Sequence, residues 1–280
     1  MSDWDEEETG TSSGNYSQLL SSANPGLIVI CIDQSSSMAD PYVDNQNKAY
    51  FAAIAVNRVI SEIITSCTAG DEIKDRCQIA VVGYGSSVRT LFNEKPSKLA
   101  LTDDYVTLSK KVSDGAGGYV DEPFELQLFL KPVASGGTPM AEAFAEANNN
   151  AERFIRDNPD SFPPVVINIT DGEPNDFQTA TLKAETLKQL RTSDGNLILL
   201  NAHISSQSGL KLELPNTKDA IQGNNYAEFL FNISSVLPDT LANNARSSGF
   251  NVQVGSRGFV FNAEAETLVR FLNFGSKIER

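Results

Sequence analysis

The sequence predicts an α/β fold: a doubly wound, mostly parallel sheet with helices on both faces and one short antiparallel edge strand. Three observations carry this prediction. Short runs rich in Val and Ile recur along the chain, each bounded by Gly, Pro or Asp and too short for a helix. Stretches with helical periodicity lie between them. The runs are apolar throughout rather than alternating, which is the pattern of strands covered on both faces.

The elements follow in chain order. The first run, GLIVICI, spans 26–32. In 49–64, AYFAAIAVNRVISEII, residues Val56, Val59, Ile60 and Ile63 keep the i, i+3, i+4, i+7 spacing of one helix face. The second run, CQIAVVGY, is followed by a Gly85-Ser86 turn into a short antiparallel edge strand. An Ala-rich helix led by Pro139 covers 139–155. A third run, PVVINIT, covers 164–170 and precedes a helix over 179–191; a fourth, NLILLNAHI, covers 196–204. Near the C-terminus, Ala265, Leu268, Val269 and Leu272 share one helix face.

One domain is expected over 26–280. The polar stretches 93–134 and 205–235 hold too little apolar content for cores of their own and read as elaborations on it. Residues 1–25 hold five acids and no Lys or Arg. They lack the basic start and apolar core of a signal peptide and read as a disordered tail.

Composition narrows the function. The formal net charge is −14, a field that repels nucleic acid and anionic membrane and favours cations or basic surfaces. No apolar run approaches the roughly 20 residues of a membrane-spanning helix. Cys31, Cys67 and Cys77 are odd in number and spaced unlike a metal or redox motif, so they read as small hydrophobes in a reducing compartment. A glycosylation sequon at 168–170 falls inside a strand-like run, where a glycan has no room. The expected location is cytoplasmic.

In such sheets ligands bind at the carboxyl ends of the strands, where strand order reverses. Two runs end in an acid: Asp33 in IVICID and Asp171 in VINITD. The segment CIDQSSSMAD adds Ser35 and Ser37, which an extended backbone points the same way as Asp33. Ser36 falls on the other side and is expected to bond locally. Between the two runs, ASGGTPMAEA places Thr138 after two glycines and before a helix, where its plainer role is an N-cap. Asp171 before Gly172 has its own plainer role as a turn residue. Two acids and three hydroxyls, with water, make a hard oxygen shell that suits Mg²⁺, with Mn²⁺ able to substitute.

These residues resemble the metal-ion-dependent adhesion site of the von Willebrand factor type A (vWA) domain: D-x-S-x-S, a distant T, then D followed by G. Asp33, Ser35, Ser37, Thr138 and Asp171 match in that order, and the likeness runs over about 26–275. It implies a Rossmann-like sheet, Ser35 and Ser37 bound directly to the ion, and Asp33, Thr138 and Asp171 bound directly or through water. DQSSSM and SGGTPM are most similar to the bacterial, intracellular branch. That implies a regulatory or scaffolding, signalling-type module whose metal is completed by an Asp or Glu of a protein partner.

Enzymatic readings fit less well. A serine hydrolase would have to use His203, the sole histidine, as its base, and there is no G-x-S-x-G elbow. His203 reads instead as a satisfied core or strand-end residue. A phosphohydrolase using Asp33 would usually carry a second Asp where Ser35 stands, and no phosphate-binding G-x-x-x-x-G-K-[ST] occurs. A secreted adhesin is the other alternative to a cytoplasmic module. Asp40, Asp44, Glu173 and Asp176 crowd the same end of the chain's strands, with Asp176 expected as a helix N-cap.

Overall fold

The consecutive residues Gly26–Asp33 form the central strand β1, and all of them are buried. A strand with no exposed face needs a neighbour on each edge and cover on both sides. The computed structural model, which describes residues 14–43, 45–115, 117–205, 209–221 and 223–277, supplies both. The other strands of the main sheet are β2 (Cys77–Tyr84), β3 (Val88–Glu94), β6 (Val165–Thr170), β7 (Ile198–Ile204), β8 (Leu212–Glu213) and β9 (Phe259–Ala263). A separate two-stranded hairpin, β4 (Tyr105–Ser113) with β5 (Tyr119–Gln127), accounts for the missing numbers. The sheet order is β8-β9-β7-β6-β1-β2-β3. β2, β1, β6, β7 and β9 run parallel, while β3 and β8 pair antiparallel at the two edges.

Alternation along the strands divides the core between two faces. Ile28, Ile30 and Ile32 of β1 join Ile79, Val81, Ile167 and Leu200 under α1 (Lys48–Cys67). The helices α5 (Asp239–Ser247) and α6 (Ala265–Gly275) lie in the same layer. Leu27, Val29 and Cys31 point the other way, with Ala80, Val82 and Val166. They meet α2 (Met140–Asp157), α3 (Phe177–Gln189) and α4 (Asn225–Ile233). Each such aliphatic side chain contributes about 1.5–3 kcal/mol by leaving water. The sheet class expected from the sequence is therefore the one found, with a second antiparallel edge, β8, beyond the one anticipated.

Polar residues inside this core have defined partners. Asn57 interrupts the apolar face of α1 and is fully buried. Its Oδ1 accepts from the N–H groups of Phe129 and Leu130, and its Nδ2 donates to the Leu130 carbonyl. This ties the segment after the β4–β5 hairpin to α1. The expectation that no run approaches a membrane-spanning length is corrected at α1, whose 20 residues are long and apolar enough by length and composition alone; half of that stretch is buried in the protein. Asn168, the sequon residue, is fully buried and joins Tyr84 to Asn201 through 2.7 Å and 3.1 Å hydrogen bonds. Cys31, Cys67 and Cys77 are buried with free thiols.

The N-terminal segment departs from the expected tail, of which residues 1–13 lie outside the described part. From Gly14 onward it lies against the domain. Tyr16 is 4% exposed and sits in the α1 layer of the core, its hydroxyl between the backbone N–H and carbonyl of Asn196. The buried carboxylate of Asp194 accepts from Ser17 N, Ser17 Oγ and Gln18 N. Composition did not reveal this because one aromatic and one distant acid hold the segment, not a periodic pattern.

Asp194→Ala removes that set of charge-assisted bonds, worth about 2–3 kcal/mol. The expected result is a melting temperature lower by about 4–6 °C. An unchanged calorimetric midpoint would show that the segment contributes nothing to the fold.

Candidate metal centre

Strand order reverses at β1: the chain passes from β1 to β2 on one side, and β6 later returns on the other. Ile32 lies opposite Ile169, so Asp33 and Asp171 leave neighbouring strands at the same end of the sheet. The crevice anticipated from the two acid-ended runs is thus formed by the topology.

Asp33 is 1% exposed. Its Oδ1 accepts from Ser35 N–H at 2.8 Å, and its Oδ2 accepts from the Thr170 hydroxyl at 2.8 Å. Burial pushes its pKa up to about 6, against the opposing pull of the Ser35 and Thr170 donors. The Thr170 hydroxyl also lies 3.0 Å from the Gly172 carbonyl; with its one proton directed to these two acceptors, the Tyr226 hydroxyl, 3.3 Å away, donates to Thr170.

The loop after β1 is not extended as far as Ser37. Ser35 is extended, but Ser36–Ala39 form a 3₁₀ turn. The alternation expected of Asp33, Ser35 and Ser37 therefore breaks at Ser37. The turn still brings the two hydroxyls together, 3.1 Å apart. Ser37 Oγ donates to Asp171 Oδ1 at 2.7 Å, which leaves Ser35 as the donor to Ser37. A directed line of hydroxyls thus runs Ser35 to Ser37 to Asp171.

Ser36 bonds across to the second loop, not locally: its N–H and its hydroxyl both donate to the Gly136 carbonyl, at 2.9 Å and 3.0 Å. Gly136 has φ +84°, and a Cβ there would lie 2.4 Å from Ser86 N, so only glycine lets this loop approach the β2–β3 turn. Two residues on, Thr138 is buried. Its N–H donates to Asn175 Oδ1, and its carbonyl accepts from Asn175 N–H. Pro139, not Thr138, holds the N-cap position of α2. The Thr138 hydroxyl faces the site: a Cβ built on Gly172 would stand 3.8 Å from Thr138 Oγ1 and 3.6 Å from Ser37 Oγ. Asp33, Ser35, Ser37, Thr138 and Asp171 therefore converge on one crevice.

Two further groups were missed from the sequence. Thr170 fixes Asp33, and its position directly before Asp171 was the available signal. Lys48, the first residue of α1, places Nζ 2.7 Å from Asp171 Oδ2 and 3.3 Å from Asp40 Oδ2. The side chain of Asp171 has no solvent exposure and that of Lys48 only 9%.

The surrounding acids divide as follows. Asp176 caps α3 by accepting from Gln178 and Thr179 N–H, as expected. Glu173 is exposed, and Asp44 lies outside the described residues. His203 is buried and stacked on Phe261, and its Nδ1 accepts from Asn262 N–H. Burial holds its pKa down to about 4, so it is neutral near pH 7, in keeping with a satisfied strand-end residue.

The donor set is all oxygen, with two carboxylates and three hydroxyls, and holds no thiol or imidazole. Such a set fits a hard divalent cation that keeps part of its water shell. Among the described residues no group of three or more His, Cys, Asp or Glu converges.

No protein-family model matches the sequence, and no curated protein matches it. Several solved structures are similar in part. Proximal thread matrix protein 1 from the mussel byssus aligns at 17% identity and TM-score 0.38, over 67% of this chain and 38% of its own. Manganese-loaded TRAP protein from Plasmodium vivax aligns at 15% identity and TM-score 0.41, over 84% and 70%. The ArnB paralog VWA2 from Sulfolobus acidocaldarius aligns at 16% and 0.35, over 65% and 35%. The chain thus spans well under two thirds of the mussel protein's length.

The buried ion pair makes its own prediction. Asp171→Asn leaves the Lys48 ammonium with only the exposed Asp40, at a cost of about 3 kcal/mol in metal-free buffer. The double variant Asp171→Asn/Lys48→Met is expected to recover at least ~1 kcal/mol of it. Strict additivity in denaturant melts would contradict the pairing.

Proposed function

We propose that this chain is a non-catalytic binding module of the vWA kind. In this reading Asp33, Ser35, Ser37, Thr138 and Asp171 hold Mg²⁺, or Mn²⁺ in its place. An Asp or Glu carboxylate of a protein partner completes the coordination. The observation that carries the proposal is the line of hydroxyls Ser35–Ser37–Asp171, with Thr138 facing the same space across Gly172.

A bound ion supplies a positive point that a partner's carboxylate can reach. The chain's own residues do the rest. Ser35 and Ser37 present lone pairs from a turn tied to Gly136, so their positions do not depend on one flexible loop. Asp33, fully engaged by Ser35 and Thr170, orients the first loop. Asp171 supplies the second carboxylate. Few anionic ligands leave a bound cation electrophilic, so an incoming acid gains affinity there, while surrounding surface sets specificity.

The phosphohydrolase alternative needs an Asp33 oxygen free to attack. Both oxygens here accept hydrogen bonds and the residue is 1% exposed, which supports binding over catalysis. A cytoplasmic location and a regulatory or scaffolding role in a bacterial complex belong to the same proposal.

Ligand linkage stabilises by about 2.7 kcal/mol at one hundred times Kd. Mg²⁺ added after EDTA is therefore expected to raise the melting temperature by several degrees. Ser37→Ala and Thr138→Ala should shrink the shift. Capture of an acidic partner in Mg²⁺ should be lost in EDTA. A wild-type midpoint indifferent to both reagents would sink the proposal, and Mg²⁺-dependent turnover of a generic phosphoester abolished by Asp33→Asn would replace it.

A further inference from the structure

Lys48 stands where helix physics disfavours it. It is the first residue of α1, at the positive end of the helix dipole, and the first turn of α1 contains no acid to balance it. Its side chain is 9% exposed, and burying an ammonium is unfavourable unless an opposite charge lies close. That charge is Asp171, 2.7 Å away. The other Asp171 oxygen accepts from Ser37, so both oxygens are engaged with no ion required. Asp40, 3.3 Å from the same ammonium and with its carboxylate 63% exposed, offers a second place for Lys48 at the mouth of the crevice.

We infer that Lys48 is the resident counter-ion of Asp171 and that it sets how tightly the crevice takes a divalent cation. The inference rests on the metal reading above. A cation entering among Ser35, Ser37 and Thr138 must share Asp171 with an ammonium already in hydrogen-bond contact. The two positive charges repel at short range in a poorly solvated site. Lys48 therefore does two opposed things. It keeps the metal-free crevice folded by neutralising a buried carboxylate, and it lowers the affinity for the ion. As Asp171 turns toward a bound ion, Lys48 keeps its contact with Asp40. The result is a site that needs a higher concentration of free cation to fill than the same oxygens would without the lysine.

The test is isothermal titration of Mg²⁺ into the full chain and its Lys48→Gln and Lys48→Met variants, with melting curves in EDTA and in Mg²⁺. Lys48→Gln keeps a donor for Asp171 without the charge, and carries the test if Lys48→Met does not fold. Both variants are expected to melt lower than wild type in EDTA, to gain a larger shift from Mg²⁺, and to bind it about tenfold tighter. Variants that bind Mg²⁺ as wild type does, or more weakly, would overturn the role of Lys48 and leave the metal reading standing. Absence of Mg²⁺ binding in wild type and variants alike would overturn the metal reading and this inference with it.

Discussion

Two carboxylates, Asp33 and Asp171, are buried at adjacent strand ends, and the structure around them is arranged to make that tolerable. Neither can be left bare: an unpaired buried charge costs several kcal/mol. Asp33 receives a backbone N–H and the Thr170 hydroxyl, and Asp171 receives the Ser37 hydroxyl and the Lys48 ammonium. These requirements set the local conformations. The 3₁₀ turn at Ser36–Ala39 brings Ser37 to Asp171 while leaving Ser36 to hold the Gly136 loop. The start of α1 is placed so that its first residue reaches the crevice. The sheet topology supplies the common point, and the charges decide what surrounds it.

Much of this was legible in the sequence because it depends on local pattern. Runs such as CQIAVVGY are apolar without alternation, and a strand buried on both faces has no other way to read. The acids at 33 and 171 announced themselves by ending such runs. What escaped depends on contacts between residues far apart in the chain. Lys48 touches Asp171 across 123 positions, and its one local clue was a cation at a helix N-terminus, an oddity with no partner in view. Tyr16 and Asp194 hold the N-terminal segment across a still longer separation. The extended geometry expected at Ser37 gave way to a turn because tertiary hydrogen bonds, not strand continuation, govern that loop.

The same distinction separates fold from function. A parallel sheet with helices on both faces positions any ligand at its carboxyl end, whatever the chemistry. The functional reading comes from the site and its oxygen donors, two carboxylates and three hydroxyls. His203 is buried and neutral, and each oxygen of the buried Asp33 already accepts a hydrogen bond. The proposed module, an ion held by these oxygens and completed by a carboxylate from outside, is built on that donor set. Lys48, paired with Asp171 at 2.7 Å, is the charge that such an ion would have to share.

The claim that a divalent ion sits among Ser35, Ser37, Thr138 and Asp171 is open to direct observation by anomalous diffraction from crystals soaked in Mn²⁺. One strong manganese peak is expected within coordination distance of Ser35 Oγ and Ser37 Oγ, with the Lys48 ammonium turned toward Asp40. A map with no peak in the crevice at millimolar Mn²⁺, Lys48 still seated on Asp171, would contradict it.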